Sequence, residues 1–200
     1  GTDMGPLPSL EEIIAAHPFF NGLDPKFLPL LGDCASLRRF GSHQRIFQER
    51  GEADHFYLIL SGQVILETEV PPHGILRIET LSAGEALGWS WLFPPYEWCF
   101  TAVTTAPTDV MSFSAPFLRR QTERNAEFAN EFLMRLAKTV AQRLKFTRQG
   151  LVQLYGTLNE PPKHTPVVEH SQECPARDEG PTVCQETRSA TEQVLPGAII

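Results

Sequence analysis

Between residues 37 and 113 the chain breaks into short runs of β-branched and aromatic residues, separated by turns that carry glycine or proline. Few folds accept that pattern. Extended segments in close succession, with turn signals at roughly eight- to twelve-residue intervals and no long helix between them, build a sandwich or barrel and not an alternating α/β fold. The predicted strands are 37–40, 45–48, 56–60, 63–70, 75–81, 99–105 and 109–113, with Ser61-Gly62 and Pro71-Pro72-His73-Gly74 as turns. His43, His55 and His73 fall in or beside turns and are read as solvated.

Helices flank this region. Ser9 followed three positions on by Glu12 is a capping signature for a short helix that ends before Pro18. A second short helix is predicted after Asp24-Pro25, with Phe27, Leu28, Leu30 and Leu31 as its apolar face. From residue 125 to about 155 the period turns helical: Leu133, Leu136, Val140, Leu144 and Leu151 share one stripe, and Arg135, Lys138, Arg143, Lys145 and Arg148 take much of the rest. Such a stripe serves either to pack on the chain's own roll or to form a seam with a second copy, and a homodimer is the reading adopted. Gly150 weakens the last turns, an interior glycine costing about 1 kcal/mol relative to alanine.

All three tryptophans, Trp89, Trp91 and Trp98, fall between Gly84 and Val103, with Phe93, Tyr96 and Phe100 among them. Gly84 and Gly88 allow backbone conformations closed to other residues. The stretch either fills a β core or forms the wall of a pocket, and it is taken here as a pocket wall. The candidate ligand-binding residues are Gly84, Glu85, Gly88, Trp89, Ser90, Trp91, Trp98, Cys99 and Thr101.

Composition narrows the function. A hydrophobic fraction of 42% supplies a real core, while a formal net charge of −7 and a pI near 5.4 argue against a nucleic-acid footprint. No apolar run spans a bilayer and no basic-then-apolar leader opens the sequence, so a cytoplasmic protein without membrane contact is expected. Cys34, Cys99, Cys174 and Cys184 lack CxxC spacing and are read as reduced thiols; a zinc set of His164, His170, Cys174 and Cys184 is rejected for want of close ligand pairs. No cofactor, metal or catalytic constellation is apparent, and an enzyme is not expected.

The order of cover helices, glycine-punctuated strands, aromatic stretch and long helix resembles the cyclic nucleotide-binding domain family, in particular its Crp/Fnr-type bacterial members. The residues that carry the resemblance are His17-Pro18-Phe19-Phe20 with Gly22-Leu23, the stretch from Ile46 to Glu52, Phe56 to Val64, Ala83 to Gly88, and Thr101-Ala102-Val103. It implies a mainly β jelly-roll with flanking helices and a long C-terminal dimerisation helix. In that family a short cassette grips the ligand, with an arginine on the cyclic phosphate and a glutamate on the ribose hydroxyl. Alignment on Gly84 and Gly88 puts Trp89 where the family has the glutamate and Trp98 where it has the arginine, with Glu97 adjacent; a slipped alignment would instead offer Glu85. No Lys or Arg lies between Arg77 and Arg119. A degenerate cassette is therefore expected, with an aromatic or heterocyclic small molecule as the candidate ligand.

The predicted organisation is an N-terminal segment at 1–8, in which Gly1 to Met4 has the look of a tag remnant, a roll with its N-terminal helices at 9–124, the long helix at 125–156, and a disordered, acidic, proline-rich tail at 157–200. The tail holds seven Asp/Glu against three Lys/Arg and ends in an apolar segment suited to a protein partner. Its prolines exclude the helix-turn-helix that follows the long helix in DNA-binding relatives, so direct DNA binding is not expected. Three functions are carried forward: a non-enzymatic ligand-sensing module, a ligand-free structural or dimerisation domain, and a true cyclic AMP or cyclic GMP sensor that relies on backbone contacts.

Overall fold

Ser9 starts the first helix as its sequence predicts. Its hydroxyl accepts from the Glu12 amide at 3.2 Å, and the Glu12 carboxylate accepts from the Ser9 amide at 2.8 Å, closing a capping box on α1 (Leu10–Ala16). The structure is a computed structural model and describes residues 7–158. Expectations that concern the tail beyond Leu158, its disorder, the rejected zinc set and the missing DNA-binding helices, lie outside the described residues.

Single 3-10 turns at Pro18–Phe20 and Pro25–Phe27 follow α1, the second running into α2 (Leu28–Gly32). Eight strands come next: β1 (Ala35–Phe40), β2 (Arg45–Phe47), β3 (His55–Ser61), β4 (Gln63–Val70), β5 (Gly74–Ser82), β6 (Ala86–Leu87), β7 (Thr101–Thr104) and β8 (Thr108–Ser114). They form two antiparallel four-stranded sheets, ordered β1-β8-β3-β6 and β2-β7-β4-β5, and two helices close the described chain, α3 (Ala115–Arg124) and α4 (Ala126–Leu158). The mainly β roll with flanking helices is the predicted one. At the β3–β4 turn Gly62 has φ +89°, and a Cβ there would lie 2.5 Å from the Pro107 carbonyl oxygen, so only glycine fits.

Five features differ from the sequence expectation. The two-residue β6 was not foreseen, and the strand expected at 99–105 is confined to Thr101–Thr104. Residues 115–124 are helical rather than part of the roll, because Pro116 sits in the first turn of α3 with Ala115 and Leu118 buried beneath it. Helix α4 continues through Gly150 to Leu158, past the predicted boundary at 156. His55 is half-buried, with Nδ1 2.8 Å from an Asp54 carboxylate oxygen and its ring stacked on Tyr57, whereas His43 and His73 are exposed as expected.

The core sits on both faces of the first sheet. In β3, Phe56, Tyr57, Leu58 and Ile59 are all buried, since neighbouring residues point to opposite faces and both faces are covered. Phe56 faces the helices, with ring centroids 5.7 Å from Trp91 and 5.7 Å from Phe132. Tyr57 faces the roll interior, 6.1 Å from Phe47 and 6.3 Å from Trp98. The inward side of α4 consists of Phe128, Phe132, Leu136 and Arg143. This corrects the predicted seam: Leu136 belongs to the chain's own core and Leu133 packs partly against it, while Leu144 and Leu151 stand exposed at 69% and 64%.

Candidate functional site

The aromatic stretch is divided by the sheet it crosses. After β6 the chain makes a 3-10 turn at Ser90–Leu92, which rotates successive indoles to different sides. Trp91 is fully buried on the helix side, against Phe56 and Phe132, and its indole Nε1 has no hydrogen-bond partner. Its carbonyl accepts from the Arg119 guanidinium at 2.5 Å, and Arg119 also covers the Tyr96 ring at 4.2 Å. Trp91 is thus a core residue, and the pocket-wall reading does not hold for it.

Trp98 is on the other side, in the roll. Its backbone is pinned: the Trp98 amide donates to the Gly51 carbonyl at 2.8 Å, and the Trp98 carbonyl accepts from the Arg50 amide at 2.8 Å. The ring is 4% exposed and stacks on Phe47 with centroids 3.7 Å apart and planes 9° from parallel. Its edge rests on Gly88, whose φ is +82° and whose position a Cβ would make untenable, 2.5 Å from a Trp98 ring carbon. Gly88 and Trp98, ten positions apart in the sequence, are therefore one packed unit inside the roll.

The other predicted residues surround this unit without forming a single cavity. Ser90 Oγ donates to Cys99 Sγ at 3.5 Å, at an exposed position. Thr101 Oγ1 accepts from the Glu49 amide at 3.0 Å, and the Glu49 carboxylate accepts from Thr68 at 2.8 Å, so Thr101 is occupied in joining β7 to the 48–51 turn. Glu85 accepts from the Ser82 amide at 2.7 Å, and Gly84, at φ +91°, approaches Pro18. Gly84 and Glu85 line a cavity of about 360 Å³ against α4, well apart from the Trp98 ring in their lining residues.

Trp89 meets a partner the sequence did not assign. The Arg143 guanidinium, carried on α4 and 7% exposed, lies 5.0 Å over the Trp89 ring. One of its Nη2 hydrogens goes to the Ala86 carbonyl, Nε is 3.5 Å from a Glu79 carboxylate oxygen, and Nη1 is buried with no acceptor. Burial holds this guanidinium below its ordinary pKa and pushes the Glu79 carboxyl up, the two being only partly compensated by each other. A cation over an indole is worth about 2 kcal/mol when desolvated. The signal for Arg143 lay in the period: it continues the inward line of Phe128, Phe132 and Leu136. Among the described residues no group of His, Cys, Asp and Glu could hold a metal ion, and no helix is long and apolar enough to cross a membrane.

The class the geometry defines is a two-sheet antiparallel roll closed by a long helix that reaches back onto its glycine-rich segment. Residues 37–125 match the model of the cyclic nucleotide-binding domain. The fold is similar to a cyclic nucleotide-binding protein from Geobacter metallireducens GS-15, at 25% identity and TM-score 0.61 over 69% of this chain and 99% of that one. It is also similar to a cyclic nucleotide-binding domain from Methylobacillus flagellatus KT, at 20% identity and TM-score 0.62 over 72% and 82% of the two chains. The Catabolite Activator Protein of Thermus thermophilus matches at 23% identity and TM-score 0.57 over 69% of this chain and 63% of its own. Comparison with curated proteins gives no match.

Proposed function

We propose that the chain is a non-enzymatic regulatory module in which Trp98 permanently fills the site that holds a cyclic phosphate elsewhere in the family. The observation that carries this is the Trp98 ring, 4% exposed and stacked at 3.7 Å on Phe47, with Gly88 beneath its edge. An indole brings no charge to a phosphate, and a buried phosphate without a cation is strongly disfavoured. The module then acts through α4, whose exposed Leu144 and Leu151 offer an apolar seam to a second copy. Isothermal titration with cyclic AMP and cyclic GMP tests the reading. No saturable heat is expected up to millimolar ligand; a micromolar Kd for either nucleotide refutes it.

The second reading keeps the module as a sensor of a flat heterocycle that replaces the Trp98 ring against Phe47. It is favoured by the near-parallel Phe47 face and by Tyr57 6.3 Å from the indole. This sensor would show saturable quenching of tryptophan fluorescence with a heterocyclic ligand, and that quenching would be lost in Phe47→Ala.

A further inference from the structure

The cavity of about 360 Å³ where α4 crosses the Pro18 and Gly84 corner is separate from the roll interior and is not used by the function proposed above. Arg135, Lys138, Gln142 and Arg143 line it from α4, and Glu79 and Glu85 from the sheet side. Three cations thus face two carboxylates, and neither carboxylate hydrogen-bonds to Nη1 of Arg143. Glu85 is engaged with the Ser82 amide, and Glu79 approaches only Nε of Arg143, at 3.5 Å. Arg135 gives one nitrogen to Glu131 and another to the Asn21 carbonyl, leaving its buried Nε without a partner. Arg143 is more deeply buried, and its Nη1 also lacks an acceptor.

We propose that this cavity binds a small oxyanion, a carboxylate or phosphate group, whose oxygens supply the acceptor that the buried Arg143 guanidinium lacks. A buried donor without a partner, on a charged group above all, is costly, and charge-assisted bonds to an oxyanion are among the strongest available to it. The same burial that holds the Arg143 pKa down marks its charge as under-compensated. Because Arg143 also donates to the Ala86 carbonyl and covers the Trp89 ring, an anion at this point would fasten α4 to β6 and to the residue pair that follows it.

The test uses the full chain, with sodium phosphate, sodium acetate and sodium chloride compared at equal ionic strength in thermal melts. Phosphate or acetate is expected to raise the Tm saturably above the chloride control; the two arms tell a phosphate from a carboxylate ligand. Lys138→Glu, at an exposed position with no side-chain partner to lose, should weaken the half-saturation about fivefold. Arg143→Lys, which loses the planar fork, should weaken it about tenfold. Trp98→Phe should leave it within about twofold, so that failure here and failure of the roll reading are told apart. Stabilisation by neither oxyanion overturns the proposal. Equal stabilisation of the wild type and Lys138→Glu also overturns it, since that outcome means an adventitious ion only; should Arg143→Lys not fold, Lys138→Glu decides alone.

Discussion

Replacing Gly88 by alanine probes the packed unit inside the roll directly. Two costs are written into the geometry. At φ +82° an alanine is strained by about 1–2 kcal/mol. Its Cβ would also lie 2.5 Å from one Trp98 ring carbon and 3.2 Å from another, and the ring is held between that glycine and Phe47, so moving it disturbs the 3.7 Å stack. Overpacking of this kind costs about 1–3 kcal/mol. Together Gly88→Ala should destabilise by about 3 kcal/mol, a large share of the stability of an ordinary domain. Trp98→Leu removes the ring carbons that would clash while keeping apolar bulk. In that background Gly88→Ala should cost only its backbone strain, about 1 kcal/mol, leaving a coupling of about 2 kcal/mol. Urea unfolding followed by far-UV circular dichroism, which does not depend on the indole itself, measures all four corners of the cycle. Equal costs in the two backgrounds would show that Trp98 does not occupy the space over Gly88.

His17 is buried, with Nε2 donating to the Ile59 carbonyl at 3.1 Å and Nδ1 accepting from the Phe19 amide at 3.1 Å, and burial is the main cause of its lowered pKa. Its folded pKa lies below the ordinary histidine value of about 6.5, so its contribution is intact above that pH and is lost as the pH falls toward the folded value; urea midpoints should drop from pH 7 to pH 5 more steeply than in His17→Gln. Phe132 is fully buried among the rings of Phe19, Phe20, Phe56, Trp91 and Phe128, and Phe132→Ala should cost about 3–5 kcal/mol in the same assay. Light scattering after gel filtration should find a dimer that Leu144→Glu with Leu151→Glu converts to monomer, with the thermal melt of the roll shifted little; an unchanged mass would remove the seam on α4.

Legibility followed how local each determinant was. Strand β4 matches its predicted bounds because turn chemistry brackets it at Ser61-Gly62 and Pro71-Pro72. Helix α1 and its capping box were equally plain, since the hydrogen bonds run between residues three apart. By contrast, α3 gave no clear signal: a proline directly after a strand reads as a break, and only its burial against the sheet and α4 makes those residues helical. The site was half legible. That Gly88 and the tryptophans belong together could be seen, but nothing in the order Trp89, Trp91, Trp98 tells which ring faces the roll and which the helices. That division comes from the 3-10 turn at Ser90–Leu92 and from β3 standing between the two rings. Arg143 was hidden for the opposite reason, because a charged residue on a long helix looks solvated until the tertiary structure closes over it.

Helix α4 buries side chains against the body of the domain as far as Arg143, and beyond it Leu144, Phe146, Leu151 and Leu154 are exposed. From that anchorage to Leu158 the axis runs about 22 Å, so a tilt of about 10° at the guanidinium would sweep the far end through about 4 Å. A displacement too small to disturb the packing around Phe132 would thus be magnified at the tip into a step that a partner surface can feel.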